Sequence, residues 1–135
     1  MTGQFASQLR AFEAKTLDKM GRAARKITLD AFSEVIMMSP VDSGRFRGNW
    51  QPAIGSAPSG TVELLDKDGN IVIAKVAGVV AGMEPGDVVY MANNLPYAQR
   101  LEDGWSQQAP AGMVRLTVQR YQTIADAVIR QIGAE

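Results

Sequence analysis

The sequence predicts an α+β domain: a small, mostly antiparallel sheet packed with long N-terminal and C-terminal amphipathic helices. Three observations predict it. Apolar residues recur at steps of three to five from Phe5 to Met38. A second stripe runs through Met113, Leu116 or Thr117, Tyr121, Ile124, Val128 and Ile132. Between the two lie short β-prone segments bounded by Pro and Gly turns. At 135 residues the chain holds one core and not two. One domain is therefore expected over 1–135, with a helix over 1–38, sheet, loops and short helices over 39–110, and a closing helix over 111–133.

The first helix carries Phe5, Leu9, Phe12, Leu17, Met20, Ala24, Ile27, Ala31, Val35 and Met38 on its stripe, and Pro40 stops it, because proline disfavours helical geometry in the residue before it. Unbroken, it is about 51 Å long. A compact domain of this length is only about 37 Å across. The helix is thus expected to overhang its own domain unless it bends near Gly21, and an overhanging apolar stripe needs a neighbour.

Asp42, Ser43, Gly44 and Gly48 then predict tight turning. Asn49 to Ile54 reads as a short strand, with Pro52 placing it at an edge. Gly55 to Gly60 is a loop, and Thr61 to Leu65 has the composition of another short strand. The segment from 70 to 83 is rich in β-branched residues, which favour a strand. Its length, with Asp68 as a cap and Gly82 near its end, favours a helix, and the helix reading is adopted. Asp87 to Asn93 reads as a strand and Pro96 to Asp103 as a short helix ended by Gly104.

Composition narrows the chemistry. Lys plus Arg and Asp plus Glu both number 14, so no global basic field exists for nucleic acid or anionic lipid. The charge is uneven, net +3 over residues 1–50 and −3 over 51–88, which suits head-to-tail contact between copies. The chain has no cysteine and no histidine, so it lacks thiolate chemistry and the commonest general base and metal ligand. No signal peptide or bilayer-spanning run is read, so synthesis and folding in a reducing cytoplasm are expected.

Several residues could bear function. Ser43, Ser56, Ser59 and Ser106 have no histidine to activate them. Asp66, Asp68 and Asn70 resemble part of a calcium loop but lack its closing glutamate, so a plain turn is the reading. Glu102 and Asp103 are adjacent and cannot flank one site as an acid pair. Arg45 and Arg47 bracket Phe46 and precede Trp50. They fit phosphate contact with stacking, or ion pairing within or between subunits, and ion pairing is adopted. Tyr97 and Trp105 are expected interface anchors, since aromatics concentrate at hot spots. Tyr90, inside a strand, is expected in the core, as is the C-terminal Met and Val stripe. Asn93 and Asn94 are expected as turn residues tolerating left-handed backbone. Phe5, Leu9, Phe12, Arg45, Arg47, Tyr97, Glu102, Trp105, Gln107 and Gln108 form the expected contact set, with Arg45 or Arg47 pairing Glu102. No catalytic residue, metal or cofactor is expected.

Two stretches, MSPVDSGRFRGNW and VVYMANNLPYAQRLEDGWSQQAPAGMVRLTV, resemble the two sequence blocks of a neck and tail-completion protein family of long-tailed bacteriophages and prophages. The residues that match are Pro40, Val41, Asp42, Ser43, Gly44, Arg45 and Trp50 in the first block. In the second they are Tyr90, Asn93, Pro96, Tyr97, Glu102, Gly104, Gln108, Pro110, Gly112 and Met113. Ser43 stands where threonine is commoner, and the middle of the chain matches least. The resemblance implies a non-enzymatic, homo-oligomeric ring subunit, expected as a hexamer. Its partners would be the tail tube and the head connector, with no membrane and no sequence-specific nucleic acid. Its place would be the virion, after synthesis in the bacterial cytoplasm. Another ring of the same particle, such as the tail terminator or head closure, is the alternative. A nucleic-acid-binding protein using the basic N-terminal helix is a more distant one.

Overall fold

A computed structural model describes residues 2–135. It is α+β, with seven elements in the order α1 (Thr2–Met38), α2 (Arg45–Gly48), β1 (Gln51–Ile54), α3 (Asn70–Ala81), β2 (Val89–Ala92), α4 (Ala98–Glu102) and α5 (Val114–Gly133). The strands pair antiparallel, Gln51 opposite Ala92 and Ile54 opposite Val89. A two-stranded ribbon is marginal alone. Here α3 packs against β1 and is itself packed against α1.

Helix α1 is continuous over 37 residues, about 55 Å at the helical rise. Its two halves meet different environments. Val35 and Ile36 are buried in the core, whereas Phe5, Leu9, Phe12, Leu17 and Met20 are exposed. Helix α5 runs antiparallel to α1, since Arg120 pairs with Glu34 and the final Glu135 with Arg22. Their apolar contact is made by Ala125, Val128 and Ile132 of α5. Because α5 ends opposite Arg22, α1 runs on beyond it toward its N-terminus. The overhang expected from length alone is therefore present.

Helix α3 follows from valines at spacing four, Val72, Val76 and Val80, all buried on one face. This periodicity outweighs the strand preference of the individual β-branched residues. The cap differs from the one expected. The buried Asp66 carboxylate accepts the N–H groups of Gly69 and Val72, at 3.2 and 2.9 Å. Asp68 accepts the Asn70 N–H, and that bond is the main cause holding its exposed carboxyl below the usual aspartate range. Two further expectations are corrected. Thr61 to Leu65 is not a strand, because the Asn49 side chain takes both backbone groups of Val62 in place of a partner strand. The tight turn expected around Gly44 contains a helical turn, α2, entered through Gly44 at φ +92°.

The core joins Val35 and Ile36 of α1, Phe46 of α2, Trp50, the three α3 valines, Leu95, Ala109 and Met113. Phe46 meets Trp50 edge-on at 5.7 Å between centroids and Tyr97 at 6.2 Å. Tyr90, expected in this core, is 38% exposed, on the outward face of a strand in a two-stranded ribbon.

Candidate interaction surface

Many residues of the two sequence blocks fall into one knot, built largely of side-chain to backbone hydrogen bonds. Arg47 is its centre. It is buried, and its guanidinium donates to the carbonyls of Met37, Ser39 and Lys67 at 3.0, 2.8 and 2.7 Å. It thereby caps the last turn of α1, where unpaired carbonyls and the helix dipole favour a cation. It is no interface ion pair, since both its terminal nitrogens are spent on backbone inside the domain and its Nε is buried without a partner. Ser39 adds to the same cap: its hydroxyl donates to Val35 O and accepts the Trp50 indole N–H, both at 2.8 Å. Pro40 is buried beside it.

The second block docks on the first through three side chains. Gln108 accepts from Val41 N and donates to Val41 O, at 2.8 and 3.1 Å, as a strand neighbour would. Asn93 donates to Phe46 O at 2.8 Å, and Tyr97 packs on the Phe46 ring. Asn93 and Asn94 do not adopt left-handed backbone, which among the described residues occurs only at glycine. They are tethers, Asn94 bonding Pro58 O and Gly60 O. Tyr97, expected as an anchor for a partner, is half-buried against Phe46 inside the domain.

Glu102 is also committed internally. Its carboxylate accepts the N–H groups of Met113, Val114 and Arg115, at 3.1, 2.9 and 3.1 Å. These are the orphan donors at the start of α5, where an anion is favoured. The expected Glu102 pairing with Arg45 or Arg47 is thus replaced by a long-range cap reaching back from α4. Gly112, at φ +86°, makes the approach possible: a β-carbon there would overlap the Glu102 carboxylate and backbone. Gly104, at φ +92°, faces the Pro110 carbonyl just as closely, which folds the 105–112 loop back on α4.

What remains outward is of a different kind. Arg45, Asp42, Gln107 and Pro110 are exposed. Trp105 is 72% exposed, its ring under the Arg100 guanidinium at 5.0 Å. Phe5, Leu9 and Phe12 are 62%, 51% and 71% exposed on the overhanging half of α1.

A groove of about 990 Å³ runs beside the α1–α5 contact. Its floor is α1 from Lys19 to Val35. One wall is α5, with Val114, Val118, Tyr121 and Ile129; the other is β2 with Met83 and Asp87. The lining is apolar apart from Lys19, Asp87 and two threonines. Thr117, itself buried, has a hydroxyl with no hydrogen-bond partner. Tyr121, on the C-terminal stripe expected as core, lies in this groove instead and is 53% exposed, beside Val118 at 68%. Sequence reading missed the groove because it appears only when α5 is set against α1. The signal was the surplus of apolar residues on α5, more than one buried face can use.

Among the described residues no group of three or more His, Cys, Asp or Glu side chains could hold a metal ion, and no helix is long and apolar enough to cross a membrane. No known protein family, curated protein or solved structure matches the chain.

Proposed function

We propose that the protein is a structural subunit of a phage tail or neck ring, the tail-completion component that joins the tail tube to the head connector. The observation that carries the assembly reading is the overhanging half of α1. Four large apolar side chains, Phe5, Leu9, Phe12 and Leu17, are left exposed on a helix too long for its domain. Contiguous apolar surface of this kind marks an interaction site. The rest of the molecule supports a scaffold role. Side chains of a reactive type, Glu102, Asp66 and Ser39, are consumed by caps and tethers that fix shape. The phage assignment rests on the resemblance of the two blocks, and the knot gives those blocks a common task in holding the domain together.

The test is reconstitution. Tails made in cells lacking this chain should fail to join heads, and adding the purified protein should restore joined particles under negative stain. Gold-labelled protein should lie at the head-proximal tail end. Label at a different ring of the particle would move the assignment to the tail terminator or head closure. No label on particles, with joining unaffected by the missing chain, would overturn the reading.

A further inference from the structure

We propose that the groove between α1, α5 and β2 receives the N-terminal half of α1 from a second copy of this chain, in a head-to-tail contact. The proposal deepens the assembly reading and rests on it only for the claim that the chain self-associates.

The donor has the form that groove-binding helices take. Phe5, Leu9 and Phe12 stand at i, i+4 and i+7, the spacing by which an amphipathic helix sets three anchors into an apolar groove. All three are more than half exposed, so they are free to do so. Lengths agree as well. The overhang from Gly3 to Asp18 is about 22 Å, and the groove floor from Lys19 to Val35 about 24 Å.

The occupant must come from another copy. Donor stripe and groove floor are successive stretches of one continuous helix, so the stripe cannot fold back into its own groove. The two patches are also different surfaces of one subunit. Such a contact is heterologous, and its repetition gives a ring if it closes and a filament if it does not. Charge does not oppose the contact. On the overhang Arg10 and Lys15 are offset by Glu13 and Asp18, and the groove lining carries one lysine, Lys19, and one aspartate, Asp87, so the apolar anchors decide the fit. The unpartnered hydroxyl of Thr117 within the lining is a further mark of a surface completed from outside.

The test exploits a chain without cysteine. Protein carrying both Leu9→Cys and Val118→Cys should give, under mild oxidation, a ladder of disulfide-linked multimers or one closed ring. Neither single variant should do so. A covalent dimer from Leu9→Cys alone would mean stripe against stripe and would overturn the proposal. Sedimentation supplies a second arm. Phe12→Asp and Val118→Asp alter exposed side chains, so both should fold, and each should weaken self-association about 30-fold or more. Mixed together, the two should form a one-to-one complex, because one intact donor and one intact groove remain. Wild-type-like assembly of either variant, or absence of the mixed complex, overturns the contact. So does a wild-type chain that stays monomeric at high concentration. A monomeric chain that still completes tails leaves the tail reading standing. Head-to-tail multimers that never join a tail do the reverse.

Discussion

At the scale of single residues, the chain spends its polar side chains on backbone. Arg47 serves three carbonyls and is 8% exposed. Arg47→Met should leave those carbonyls buried and unpaired, at a cost of about 2–3 kcal/mol. A urea titration should show a lower midpoint with an unchanged slope. Arg47→Lys should recover only part of the loss, since an ammonium cannot span the fork of contacts. Glu102 caps α5 from across a loop, so Glu102→Ala should cost about 1–2 kcal/mol of stability. Arg45 is exposed and Glu102 is spoken for by three N–H groups. The double-mutant cycle between them should therefore be additive within about 0.5 kcal/mol. A larger coupling would show that the two side chains meet after all. These roles were only partly legible beforehand. The sequence marks Arg47, Asn93, Glu102 and Gln108 as special. It cannot say that their partners are main-chain atoms, because those partners carry no sequence signature.

At the scale of elements, legibility follows periodicity. The stripes of α1 and α5 fix both helices: α1 ends at Met38 and α5 at Gly133 as predicted, while α5 begins at Val114, three residues after the predicted 111. Strand β1, with Pro52, and strand β2 are found where alternation and turn residues put them. The misses are short. Thr61 to Leu65 lacks a strand partner, α2 is a single turn, and the α3 cap lies two residues before the one predicted. In each case a side chain from elsewhere settles a local choice that propensity leaves balanced. The division of α1 into a docked and a free half carries its own prediction. Deleting residues 1–12 should leave the urea midpoint within about 0.5 kcal/mol of wild type, since exposed side chains contribute little to the fold. Loss of cooperative unfolding in that variant would place the segment in the core.

At the scale of the whole molecule, the architecture separates the side chains that close the domain from those it leaves exposed. The two sequence blocks lie far apart in the chain and close on each other through Gln108, Asn93 and Tyr97, while the overhang lies away from that knot and the groove borders it at Val35, Trp50 and Val114. The expected contact set accordingly splits. Phe5, Leu9, Phe12, Arg45, Trp105 and Gln107 face outward, and Arg47, Tyr97, Glu102 and Gln108 belong to the domain's own closure. The form of that closure bears on how such a chain can drift in evolution. Almost every bond in it joins a side chain to an amide or carbonyl: Arg47 to Met37 and Lys67, Asn49 to Val62, Gln108 to Val41. One end of each pair is invariant chemistry whatever residue supplies it. Met37, Lys67, Val62 and Val41 can therefore mutate without a compensating change in their partners. Among relatives of this chain, Arg47, Asn49 and Gln108 should stand nearly fixed beside freely varying neighbours, and the strongest contacts of the fold should leave no trace of correlated substitution.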